Sequence, residues 1–201
     1  MSRDYPIPAG ELQRETQVRK SRFIARVMPV TSRDEVHHQV ARARVEYPDA
    51  RHVCWAYQVG RPGAAAEAGM NDDGEPSGTA GKPILGVIQH KDMGDVLVIV
   101  IRYFGGIKLG AGGLVRAYAG AAESVLSEVG RVVQPTLLVA RLRLDFAQEQ
   151  PLRHWAGQHG ASLAEVYYAS QVEVRLEVPE QHWPALTGFC DALGLDYRLE
   201  R

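Results

Sequence analysis

Two glycine-rich stretches concentrate the residue types that do chemistry. The first, Asn71-Asp-Asp-Gly-Glu-Pro-Ser-Gly-Thr-Ala-Gly81, carries three acids within four positions, Asp72, Asp73 and Glu75. Such a cluster can hold Mg²⁺, pair with bases, or sit solvated at a loop tip. The second runs from Arg102 to Tyr118 and reads as strand, glycine loop, helix. Gly105, Gly106, Gly110, Gly112 and Gly113 lie in the loop, with Arg102, Lys108 and Arg116 in or beside it. The start of a helix exposes unpaired N–H groups and the positive end of the dipole, which suits phosphate. Glycine lets an anion approach the backbone closely. These residues are therefore the candidate anion- or RNA-backbone site, and the three acids a candidate acidic loop. The competing explanation is structural: the glycines allow tight turns and close helix–sheet packing. Charge complementarity predicts that the two stretches are neighbours, with one of the acids beside Arg102, Lys108 or Arg116.

The familiar phosphate fingerprints do not match. Gly105–Gly110 has the glycine spacing of a Walker A loop, but Ala111 stands where its lysine belongs. Gly81-Lys82 is followed by Pro83, and position 76 is proline rather than glycine. The dinucleotide pattern G-x-G-x-x-G fails at Val115. His52 and Cys54 share one strand face, yet zinc would need two further ligands, and no C-x-x-C or H-x₃-H partner is present. Cys54 could act as a nucleophile with a nearby histidine; a buried structural cysteine is commoner. There is no Gly-x-Ser-x-Gly elbow. No catalytic residue, metal or cofactor is assigned.

The elements that must position these residues follow from periodicity. Residues 22–30 alternate as a strand, with Phe23, Ala25 and Val27 on one side. Ser32-Arg-Asp-Glu35 is a capping box before Val36, Val40, Ala43 and Tyr47 at helical spacing, and Pro48 ends that helix. Residues 52–59 form a second strand. Residues 60–81 read as one long loop, of a length that is often functional. Residues 83–89 read as a short helix, 95–103 as a strand buried on both faces, and Leu114 to Val129 as a helix stopped by Gly130. From 136 to 201 the rhythm becomes β-α-β-β-α-β, the split βαβ of ferredoxin-like folds. The expected division is residues 1–133 and 136–201, joined at Gln134-Pro135.

Composition bounds the function. The 201 residues are 45% hydrophobic and 23% charged, which excludes wholesale disorder. The longest apolar run, Val96–Ile101, is far short of the roughly 18 residues a membrane helix needs. Two cysteines make no disulfide framework, and no secretory signal is visible, so a cytoplasmic location without membrane partners is expected. The net charge of −1 means that bulk electrostatics does not drive nucleic-acid binding; a local patch must do so. Arg14, Arg19, Lys20, Arg22 and Arg26 form one basic run, which is either a solvated strand entry or part of such a face.

The quoted motifs resemble the IMPACT/YigZ family. Lys20-Ser-Arg-Phe-Ile-Ala25, His52-Val-Cys-Trp-Ala-Tyr57, Asp72–Gly81 and Arg102-Tyr-Phe-Gly-Gly-Ile-Lys-Leu-Gly110 carry the likeness. The family signature from Gly81 to Gly110 fits at every position. The resemblance implies an α+β protein of two domains. The first would be a ribosomal-protein and GHMP-kinase type of sandwich with a four-stranded sheet backed by helices. The second would be ferredoxin-like, similar to the last domain of elongation factor G. Eukaryotic relatives restrain a starvation-activated initiation-factor kinase by competing for its co-activator, through an additional N-terminal domain. The family carries no established catalytic residues, so none is transferred. The expected function is a non-catalytic regulator of translation binding RNA, the ribosome or a translation-associated protein, with no DNA sequence specificity. The alternatives are a kinase-like enzyme acting on a phosphate substrate through the glycine loops, and a protein-interaction adaptor.

Overall fold

Strand β3 (Ser21–Pro29) shows how one alternating sequence serves two cores. Phe23, Ala25 and Val27 enter one hydrophobic cluster, while Ile24 and Met28 enter another on the opposite face. Strand β6 (Val96–Tyr103) does the same, Val96, Val98 and Val100 against Leu97, Ile99 and Ile101. A strand apolar on both sides belongs in the middle of a covered sheet, and β6 is the central strand.

The computed structural model describes residues 4–200. The chain divides into two compact units, one of Tyr5–Gln134 and one from Pro135 onward that also takes in Asp4. In the first unit, β2 (Leu12–Val18), β3, β6, β4 (His52–Val59) and β5 (Glu67–Asn71) pair in that order, every pair antiparallel. The sheet therefore has five strands where four were expected. Two of the five had no strand reading in the sequence: β2, and β5 inside the stretch expected to be a structureless loop. Helix α1 (Arg33–Glu46) covers one face through Val36, Val40 and Ala43. Helices α2 (Gly81–His90) and α3 (Ala111–Leu126) cover the other. Ser32 caps α1 by accepting the Glu35 N–H at 3.3 Å, and the Glu35 carboxylate reaches back to the Thr31 N–H at 2.8 Å. That is the reciprocal cap foreseen, closed one residue earlier. A two-stranded ribbon completes the unit: β1 (Tyr5–Pro8) pairs antiparallel with β7 (Arg131–Gln134).

The second unit runs β8 (Leu137–Leu144), α4 (Glu149–Gln158), β9 (Ser162–Tyr168), β10 (Val172–Pro179), α5 (Trp183–Leu193) and β11 (Asp196–Leu199). Its sheet order is β11-β8-β10-β9, all antiparallel, which is the split βαβ arrangement. Ala140, Leu142 and Leu144 face a core shared with Leu152, Trp155, Leu186 and Cys190 of the two helices. Arg141 and Arg143, at the alternate positions, are exposed on the open face. The molecule is thus an α+β protein of two domains.

Candidate nucleic-acid interface

Arg102 is the penultimate residue of β6, and its place in the alternation puts it on the face covered by α2 and α3. Its guanidinium is buried there, 7% exposed, and Nη1 donates to Glu75 Oε1 at 2.6 Å. Tyr118, about two turns into α3, donates its hydroxyl to the same oxygen at 2.7 Å. The Glu75 side chain is 4% exposed, so neither charge has water as a substitute partner. Phe23 lies 5.5 Å from the guanidinium and packs edge-on against Tyr118. Burial pushes the Tyr118 hydroxyl far above its usual range, with Cys54 and the Glu75 charge adding to it.

The two glycine-rich stretches therefore meet, through Glu75 and Arg102. The other two acids are spent elsewhere. Asp72 accepts the N–H groups of Gly78, Ala80 and Gly81 at 2.7, 2.9 and 2.8 Å, closing the loop onto the start of α2. Burial works against its charge, but these three donors outweigh it and hold the carboxyl below its usual range. Asp73 accepts from Arg44 at 2.5 Å and from the Val53 N–H at 2.6 Å. Among the described residues no cluster of three or more His, Cys, Asp or Glu could hold a metal ion. Cys54 is fully buried, its Sγ 3.0 Å from the Asp72 carbonyl and 3.4 Å from the Tyr118 hydroxyl. Burial pushes its thiol up to about 12, so it is a poor nucleophile near neutrality.

The outer layer has the opposite character. Lys108 and Arg116 are exposed, and neither has an ion pair among the described residues. Helix α3 starts at Gly110, whose φ of 72° provides the turn and whose missing side chain leaves the first N–H groups uncapped. The Arg116 guanidinium folds back over that turn, 3.6 Å from where a Gly112 side chain would begin. Gly105 is a packing glycine: a Cβ there would overlap the backbone of Lys20 and Ser21. Beneath it the Ser21 hydroxyl accepts the Gly105 N–H at 3.2 Å. Arg102, grouped with the surface cations in the sequence reading, sits under this layer and answers Glu75.

Two residues that the site reading omitted join it. Arg19 and Lys20 are the two-residue turn between β2 and β3, both with positive φ, 44° and 67°. Arg19 and Arg116 line one cavity of about 180 Å³, together with Val18, Leu109, Gly113 and Ala117. Their signal was visible as the basic run 14–26; its connection to the glycine loop depends on the β3–β6 register, which sequence periodicity does not give.

A five-stranded sheet covered on both faces, carrying a glycine loop over a buried ion pair and followed by a split βαβ unit, defines a two-domain α+β protein. Residues 19–126 match the family model of the Impact N-terminal domain, and residues 142–189 match that of a domain of unknown function. An IMPACT family member of Haemophilus influenzae is 31% identical, covering 89% of this chain and 86% of that protein. The Escherichia coli IMPACT family member YigZ is 34% identical, over 86% and 85%. A crystal structure described as that of a hypothetical protein is 30% identical, with a TM-score of 0.87, covering 100% of this chain and 98% of the other. The chain belongs to the IMPACT family.

Proposed function

We propose that this chain is a non-catalytic regulator of translation whose first unit holds RNA backbone on the face bearing Lys108 and Arg116. One observation carries the proposal: these cations lack a counter-charge, while every acid of the neighbouring loop is engaged by another partner. Glu75, the acid that reaches Arg102, is sealed beneath the surface and so does not shield them directly. Guanidinium forks match phosphate geometry, and the uncapped start of α3 adds N–H donors and a positive dipole end. Burial holds the Cys54 thiol protonated near neutrality, so it supplies no nucleophile to a catalytic reading of this site. The family resemblance supplies the setting, translation.

The test is a salt titration of RNA binding by fluorescence anisotropy. A face of this size reaches about three to five phosphates, so on a single strand the slope of log K against log salt is about −2 to −3.5. The double variant K108A/R116A should weaken binding and flatten that slope by about 1.4, with an unchanged melting temperature. Wild-type binding by the double variant across the titration would refute the proposal.

A further inference from the structure

Phe104 is large, apolar and 56% exposed, in a loop that the fold otherwise ties down tightly. Its position is fixed from two sides. The Arg102 guanidinium lies 5.7 Å from its ring, and that guanidinium is itself held by Glu75. The next residue, Gly105, rests on the backbone of Lys20 and donates to the Ser21 hydroxyl. An exposed aromatic ring held in place costs free energy in water and offers little to the protein's own core. Ile107 and Val115, nearby in the same loop and helix start, are also exposed apolar residues.

Beneath this ring Arg102 is answered by Glu75, but four exposed cations of the loop, the start of α3 and the β2–β3 turn are uncompensated. Arg19, Lys20, Lys108 and Arg116 have no ion pair among the described residues. Lys20 is in backbone contact with the loop at Gly105, and Arg19 shares its cavity with Arg116. A fixed aromatic face beside unpaired cations suits a chain that alternates flat apolar rings with negative charges. That chain is a single-stranded polynucleotide.

We infer that Phe104 is a base-stacking platform, so that the face takes unpaired nucleotides in preference to duplex. The inference rests on the proposed phosphate-binding reading and goes beyond it by naming the strand state of the ligand. In a duplex the base faces are stacked on each other and cannot reach the ring, so duplex binds through phosphates alone. An acidic peptide is disfavoured: it matches the cations and leaves Phe104 without a flat partner. The face carries no argument for ribose over deoxyribose, so both single strands are included as probes.

The experiment uses the full chain with oligouridylate and oligothymidylate of about ten nucleotides, an RNA duplex of equal length, and polyglutamate as competitor. Phe104→Ala should lower single-strand affinity about tenfold and leave duplex affinity unchanged; Phe104→Trp should restore it. Wild-type single-strand binding by Phe104→Ala, with K108A/R116A still impaired, would overturn the stacking inference and leave the phosphate reading standing. Unimpaired binding by both variants would overturn the two together. Polyglutamate competing as well as oligouridylate would assign the face to acidic peptides and overturn the inference.

Discussion

Glu75 accepts from Arg102 and Tyr118 through a single oxygen, inside a site with almost no solvent. Removing one partner of a buried pair leaves the other charge unanswered, which costs about 3–5 kcal/mol. Glu75→Gln should therefore lower the unfolding free energy of the first unit by that order in a urea titration. Tyr118→Phe, which deletes the hydroxyl's hydrogen bond to Glu75 and the weak one from Cys54 and keeps the ring against Phe23, should cost about 1–2 kcal/mol. Asp72 makes a pH-dependent contribution. Its carboxyl is held below the usual range in the folded chain. Its stabilisation is complete above the unfolded-state pKa of about 3.9 and is lost as pH falls through the lower folded value. Asp72→Asn should remove that part of the acid limb, measured as melting temperature against pH below about 5. Complementary charge in the two glycine-rich stretches was enough to predict that an acid meets a base. Which acid was not legible, because Asp72 is claimed by N–H groups that only the folded loop presents and Asp73 by Arg44 and the Val53 N–H of β4.

Elements were legible where burial writes a period into the sequence, and illegible where it does not. Strand β6 is buried through its first seven residues and was expected within one residue of its bounds. Strand β2, Leu-Gln-Arg-Glu-Thr-Gln-Val, has no fully buried residue; it is an edge strand paired only to β3. Strand β5, Glu-Ala-Gly-Met-Asn, is the opposite edge and equally polar. Edge strands hold by main-chain hydrogen bonds on one side and are kept polar on the other, so hydrophobic alternation misses them. The candidate loop depends on such an edge, because the β2–β3 turn is what Gly105 packs against. Gly105→Ala must displace that turn or spread β3 from β6, since the obstacle is backbone. Gly106→Ala meets open space and bears only the strain of φ 83°, about 1–2 kcal/mol. Urea unfolding should rank Gly105→Ala as the more damaging of the two, and RNA affinity should fall with it. Equal costs for both would show that the turn yields freely.

At the scale of the whole chain, the passage from one unit to the next is less exposed than a Pro-marked linker suggests. The sequence places the join of the two units at Gln134-Pro135, but Arg131–Gln134 are strand-paired residue by residue with Tyr5–Pro8. Prolines at 6 and 8 hide β1 from a sequence reading; proline is acceptable here because the ribbon has only two strands and an open side. That ribbon is fastened to the sheet unit. The Tyr5 hydroxyl donates to Asp95 at 2.8 Å, the Gly94 N–H donates to the Pro6 carbonyl at 3.0 Å, and the Ala9 N–H donates to Gly130 at 2.7 Å. A protease needs a segment that opens into an extended strand in its own cleft. Arg131, exposed in side chain but paired in backbone, does not offer that. Limited trypsin digestion followed by mass spectrometry should therefore cut after Arg131 only late. Deleting residues 2–8 removes β1 and leaves β7 without a partner, so cleavage after Arg131 should then accelerate by an order of magnitude or more, as its opening no longer breaks a ribbon. Cleavage at Arg131 as slow in the truncated chain as in the full one would mean that the β1–β7 pairing does not guard that bond.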